Sequence, residues 1–171
     1  MSIVLYVDIL ILMGDDKVIR SCKEDLPREI EMKDMGFMQY FHRLEVWKGD
    51  GEIFVSQGKY ANEILKKFHM ESRKPMETPI ATIWRKKDTT SGEVVEATIY
   101  RQLVGSVTYL VKSGPDMCYV VNQLSQAMVR PTKLFWTTTN HVLRYLRGTT
   151  QFLLWYRRIE GVKLCGFKDA D

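Results

Sequence analysis

Asp8 stands between two apolar runs, Leu5-Tyr6-Val7 and Ile9-Leu10-Ile11-Leu12. At a hairpin tip an aspartate so placed lies at the edge of a sheet, where it either shapes the turn by bonding its own backbone or ligates a metal. Asp169 and Asp171 close the sequence; taken by themselves they are two solvated groups at a frayed terminus. Basic residues recur as Lys66-Lys67, Arg73-Lys74, Arg85-Lys86-Lys87, Arg144 with Arg147, and Arg157-Arg158, with Tyr60, Trp84, Tyr145 and Trp155 among them. Cations interleaved with rings can hold nucleic-acid phosphates and stack on bases, although an isolated basic pair is more often a solvated face. His42, His69 and His141 are too dispersed to suggest a metal cluster or a Ser/His/Asp triad. Cys22, Cys118 and Cys165 show no zinc-knuckle or CxxC spacing, and no phosphate-binding glycine loop is present.

These residues must be positioned by ordinary folded elements. The chain has 171 residues, 45% hydrophobic and 27% charged, with a formal charge of +4. That profile argues against disorder, collagen and a disulfide-dense mini-protein. The charge permits an anionic partner but falls short of a strongly basic binding domain. The apolar start, Met1 to Met13, lacks a basic leader region, carries Asp8, and is too short to span a bilayer. It reads as a core strand pair, and a chain that opens inside such a pair suggests a truncated domain. With an odd cysteine count and no Asn-x-Ser/Thr sequon, an intracellular location in cytoplasm or nucleus is expected, not secretion and not a membrane.

Val18, Cys22, Leu26 and Ile30 form a helical stripe after Asp15-Asp16, which Pro27 must kink or end early. Residues 39–56 alternate with period two around Gly49-Asp50-Gly51 and predict a β-hairpin. Ser56 then caps a helix carrying Tyr60, Ile64, Leu65 and Phe68, and residues 72–96 read as a polar connector. Three helical stripes follow: Tyr100 to Val111, Met117 to Met128, and Phe135 to Leu146, the last slightly weakened by Thr137-Thr138-Thr139. Residues 152–158 and 162–167 are expected to be two strands joined near Gly161.

Several segments in fixed order resemble the reverse transcriptase of copia-class LTR retrotransposons. Leu5-Tyr6-Val7-Asp8-Ile9-Leu10-Ile11 is similar to that family's Tyr-Val-Asp-Asp motif, and Phe41-His-Arg-Leu-Glu-Val46 to its Phe-Leu-Gly-Ile-Glu-Val strand. Gln57-Gly-Lys-Tyr60, Tyr100 to Ser106, Pro115-Asp116, Asn122 to Ser125, His141 to Thr149 and Gly166 to Asp171 continue the likeness. The resemblance implies an α+β fold: a partial palm of β-hairpins and helices with a primer-grip-like region at 1–71, and a connector at 72–96. A mainly helical thumb/connection-like region at 97–163 and the first strand of ribonuclease H at 164–171 would follow.

In that family DNA is made on an RNA or DNA primer-template, with Mg²⁺ ions held by several carboxylates. Asp8 is then a vestigial polymerase carboxylate and Asp169 a vestigial ribonuclease H carboxylate. Ile9 stands where the second motif aspartate belongs, and no upstream strand precedes Met1 to add another. Asp8 alone is insufficient for the metal pair, so no productive Mg²⁺ binding and no polymerase activity are expected of the isolated chain. Arg43 replaces a glycine and Gly114 an arginine of the family pattern; the first is expected to overpack a strand. The chain reads as a degenerate, truncated remnant. The alternatives are a non-catalytic nucleic-acid-binding remnant using Lys66, Lys67, Arg144 and Arg147, or an interaction protein recruited by a host.

Overall fold

The computed structural model describes residues 1–81, 84, 92–158 and 161. These form an α+β fragment of five α-helices and two antiparallel sheets, divided into a compact unit over Met1–Met38 and a second one from Gln39 onward.

In the first unit, β1 (Ser2–Tyr6) and β2 (Ile9–Met13) pair antiparallel without interruption, from Ser2 opposite Met13 to Tyr6 opposite Ile9. The strand pairing matches the sequence reading, but the core position does not. Every residue of β1 is exposed, and β2 is at best half-buried. Helix α1 (Asp16–Glu29) starts where the Asp15 carboxylate accepts the Lys17 amide at 2.9 Å. It runs past Pro27 and stops at extended Ile30, the last residue of the apolar stripe. No side chain of α1 is buried, so little packing opposes the proline.

The second unit is built on a helical core. Helices α2 (Gly58–Lys67), α3 (Ala97–Leu110), α4 (Cys118–Ser125) and α5 (Lys133–Thr149) supply most of its buried side chains. Tyr100, Leu103, Val104 and Val107 of α3 meet Val120 and Leu124 of α4 and Val142 and Leu143 of α5 in one cluster. This follows the periodic stripes, since a face apolar at every third or fourth residue must be covered. Each threonine of the Thr137-Thr138-Thr139 run donates its hydroxyl to the carbonyl four residues back, which lets Thr138 and Thr139 be buried with their polar atoms satisfied.

Two expectations need correction here, and one is met as far as the described residues go. Residues 72–96 are not simply a polar connector: Trp84 is buried edge-on against Phe135 at 5.1 Å, and Met76 and Ile80 pack on the core. Of the two strands expected after α5, the first forms as β6 (Leu154–Arg157), which joins β3 (Tyr40–Phe41), β4 (Leu44–Gly49) and β5 (Glu52–Ser56) in the order β3-β4-β5-β6, and the second, at 162–167, lies outside the described residues. Arg43 overpacks nothing. With His42 it forms the two-residue β3–β4 turn, at φ +64° and +48°, and its guanidinium lies 4.3 Å from the centre of the Tyr60 ring. A left-handed turn position explains why glycine suits that place, and ring contact offsets part of the strain.

The β4–β5 hairpin turns at Asp50 and Gly51, with Gly51 at φ +71°. Sheet and helices are joined by polar contacts: the buried Glu45 carboxylate of β4 accepts the Lys59 amide at 3.0 Å in the first turn of α2, and Ser56 Oγ accepts the Gly58 amide at 3.1 Å. Two tyrosines lock the helical core. Tyr100 donates to the Leu124 carbonyl at 2.8 Å, and Tyr145 donates to the Asp116 carboxylate in the 3-10 turn Pro115–Met117 that precedes α4.

Burial pushes the Tyr145 hydroxyl up to about 12, and its bond to the Asp116 charge pushes the same way. Tyr100 is also raised to about 12, by burial. The unfolded chain therefore loses these protons first, near pH 10, so their contribution to folding stability is constant below that pH and falls as pH rises toward 12. Urea denaturation between pH 8 and 11 is expected to show this loss, and Tyr145→Phe to reduce its slope while leaving the share due to Tyr100.

Candidate functional site

The first candidate is the tip of the β1–β2 hairpin. Tyr6 and Ile9 are paired, so Val7 and Asp8 are the whole turn. Short turns of this type need a positive φ at their first position, and Val7 supplies it at +55°. A β-branched side chain in that region costs on the order of 1–3 kcal/mol. Asp8 is exposed at the second turn position, and the residue that leaves the turn, opposite Tyr6, is Ile9. The hairpin carries no bulge, since all five strand pairs stay in sequence and Met13 stands opposite Ser2.

No group of three or more His, Cys, Asp or Glu that could hold a metal ion occurs among the described residues. Asp15 is engaged as the cap of α1, and Asp169 lies outside the described residues. A pair of hard divalent cations needs several carboxylate oxygens around one point. The turn offers one carboxylate, and the residues around it do not fit the metal pair.

The second candidate is a cleft of about 470 Å³ lined by Met70, Arg73, Lys74, Asn140 and Arg144. It forms because the segment after α2 is strapped across α5. Arg144 donates its Nε to the Lys74 carbonyl at 2.8 Å, Arg147 donates its Nε to the Glu71 carbonyl, and His141 Nε2 lies 2.8 Å from the Thr78 carbonyl. The Met76 amide bonds the Arg144 carbonyl at 3.2 Å. Gly148 permits the close approach, because a Cβ there would lie 3.2 Å from Pro75. Arg144 and Arg147 are thus structural clamps whatever else they contact, and nothing in their spacing revealed it. None of Arg73, Lys74, Arg144 and Arg147 forms an ion pair among the described residues. Lys66 and Lys67 are exposed in the last turn of α2, where the helix dipole favours cations.

The aromatic residues sort differently from the sequence expectation. Tyr60, Trp84 and Tyr145 are buried in the core and cannot stack on bases, whereas Trp155 is exposed on β6. The Glu45 carboxylate that anchors α2 was not anticipated; its only sequence signal is a charged residue amid the alternating apolar positions of a strand.

Residues 1–82 match the family described as "Reverse transcriptase (RNA-dependent DNA polymerase)". The chain is 32% identical over 168 residues to a retrovirus-related Pol polyprotein from transposon RE2 of Arabidopsis thaliana, a match covering 98% of this chain and 12% of that protein. It belongs to the copia-type reverse-transcriptase family. The Pol polyprotein from transposon TNT 1-94 of Nicotiana tabacum is likewise 32% identical, over 99% of this chain and 13% of its own length. This copia-type chain thus spans about one eighth of the transposon polyproteins it matches. An uncharacterized mitochondrial protein of Arabidopsis thaliana is 30% identical over all of this chain and 71% of its own length. No solved structure matches. No described helix is long and apolar enough to cross a membrane.

Val7→Gly is expected to relieve the turn. Slower amide exchange across Ser2–Met13, corresponding to about 1 kcal/mol or more, would show it; unchanged exchange would mean the positive φ carries no strain.

Proposed function

We propose that this copia-type chain is a degenerate remnant of an RNA-directed DNA polymerase that does not itself catalyse templated nucleotidyl transfer. The observation that carries this reading is the tip of the first hairpin, where Ile9 follows Asp8 directly and faces Tyr6, so one acid remains in the turn. In the family Mg²⁺ activates the primer hydroxyl and clamps the triphosphate; here Asp8 is a vestigial polymerase carboxylate and Asp169 a vestigial ribonuclease H carboxylate. By ancestry, residues 1–71 derive from palm and primer grip, 72–96 from a connector, 97–163 from thumb and connection, and 164–171 from the start of ribonuclease H. An intracellular setting fits this descent.

Retained nucleic-acid binding is the second part of the proposal, and the strapped cleft supports it. Arg73, Lys74 and Arg144 line one concavity with the Asn140 amide, and none of the three is neutralised by a carboxylate among the described residues. Such a set suits backbone phosphates rather than base edges, and Lys66, Lys67 and Arg147 extend it.

Purified chain, with primer-template, deoxynucleotides and magnesium, is expected to extend no primer above the level of Asp8→Ala. Extension that Asp8→Ala abolishes would overturn the inactive reading. The same protein is expected to bind duplex nucleic acid with a steep salt dependence. Arg73→Ala and Lys74→Ala, whose side chains form no hydrogen bond or ion pair among the described residues, are each expected to lower the slope of log K against log salt by about 0.9 for every phosphate no longer neutralised. Salt-independent binding, or no binding at all, would refute the cleft assignment.

A further inference from the structure

Residues paired across neighbouring strands point to the same face of a sheet, and so do residues two apart on one strand. The aromatic row Trp47↔Phe54↔Trp155 across β4, β5 and β6 therefore shares its face with Gly49↔Glu52↔Arg157, the next row along the strands. At the opposite end of that face Glu45 and Ser56 are buried and bond the first turn of α2, so that end is engaged within the chain. The end carrying the two rows is open: Trp47 and Trp155 remain 49% and 56% exposed, and Phe54 is half-buried. None of these three rings belongs to the buried core cluster. The Phe54 and Trp155 rings are within 13° of parallel, with centroids 6.1 Å apart. A contiguous row of exposed rings on a folded chain marks an interaction surface.

The charges beside the row indicate the partner. Glu52 and Arg157 stand opposite each other in register, yet neither forms an ion pair among the described residues. The Arg157 guanidinium lies instead 5.4 Å from the centre of the Trp155 ring. The open end thus joins an apolar row to one acid and one base. A polyanion would meet Glu52, and an apolar partner would desolvate both charges without compensation. A second copy of the same face supplies the opposite charge for each.

The register allows both contacts at once. When two copies face each other, a twofold axis parallel to the strands and between β5 and β6 exchanges those strands. It lays Phe54 over Trp155 of the second copy and Glu52 over Arg157 of the second copy, and each contact occurs twice, as an isologous interface requires. An axis along β5 itself would set Glu52 against Glu52, so charge selects the first arrangement. Half-exposed rings contribute about 100 Å² each, against roughly 800 Å² per partner in a stable complex, so the association is weak and depends on concentration.

We propose that the open end of the four-stranded sheet pairs face to face with a second copy of this chain, Glu52 meeting Arg157 and Phe54 meeting Trp155 across the twofold axis. The interface uses no residue of the first hairpin or of the strapped cleft, so it stands or falls apart from the function proposed above.

The test is sedimentation velocity of the full chain from about 1 µM to 1 mM, with circular-dichroism melts as the folding control. The parent is expected to pass from monomer toward dimer across that range. Glu52→Lys and Arg157→Glu each set like charges against one another and are expected to weaken dimerisation about tenfold or more. An equimolar mixture of the two variants restores opposite charges at both contacts and is expected to form a mixed dimer within about threefold of the parent affinity. Trp155→Leu is expected to weaken dimerisation about fivefold or more, and decides the matter if a charge reversal fails to fold. A parent that stays monomeric throughout overturns the proposal, and quenching of its exposed tryptophans by oligothymidylate would then give the face to nucleic acid. Folded variants that dimerise like the parent overturn it too, as does a mixture of folded charge variants that stays monomeric.

Discussion

The buried carboxylate of Glu45 is the constraint on which the arrangement of the second unit depends. The core cluster contains side chains of helices and of the segments between them but none from a strand, so apolar packing alone does not dock the sheet. Glu45 spans the gap: one oxygen accepts the Lys59 amide at the start of α2, and the other faces the Lys59 ammonium at 3.2 Å. A carboxylate there satisfies an otherwise unpaired amide and faces the positive end of the helix, so its burial is matched by specific partners. Tyr109, whose hydroxyl donates to the His42 carbonyl at 2.5 Å, and Arg43, whose guanidinium lies over the Tyr60 ring, secure the neighbouring β3–β4 turn at the same end of the sheet. The sheet can then keep its aromatic row outside the core.

At the hairpin tip and at the cleft, backbone geometry decides what side chains can do. The two-residue turn leaves Asp8 exposed with no second acid beside it, and the positive φ of the turn falls on Val7. In the cleft, α5 presents Arg144, Arg147 and His141 along one side, and all three bond carbonyls of the strap. Positive charge is gathered there by a structural need, since a segment without regular structure must satisfy its carbonyls somewhere.

Much of this was legible in the residues themselves. The stripes of α3 and α5 appear as apolar residues three and four apart, and the β4–β5 hairpin as alternation around Gly49-Asp50-Gly51, because these periods are local consequences of backbone geometry. The order of motifs identified the family, which the match of residues 1–82 and the similarity to transposon polyproteins support. The replaced aspartate was equally visible, since one residue type at one position needs no tertiary context.

Which aromatic residue faces water was not readable. Trp84 stands next to arginine in the sequence and Trp155 two residues before one, yet the first is sealed against Phe135 and the second is exposed on β6. The difference lies in partners brought from distant parts of the chain. The pairing of β6 with β5 joins residues about a hundred positions apart through main-chain hydrogen bonds, which carry no residue label. Sequence alone determined the helical faces, the turn and the missing acid, because each is set by neighbours along the chain. Tertiary structure alone decided the aromatic row, the strapped cleft and the Glu45 anchor, because each exists only where separate segments meet.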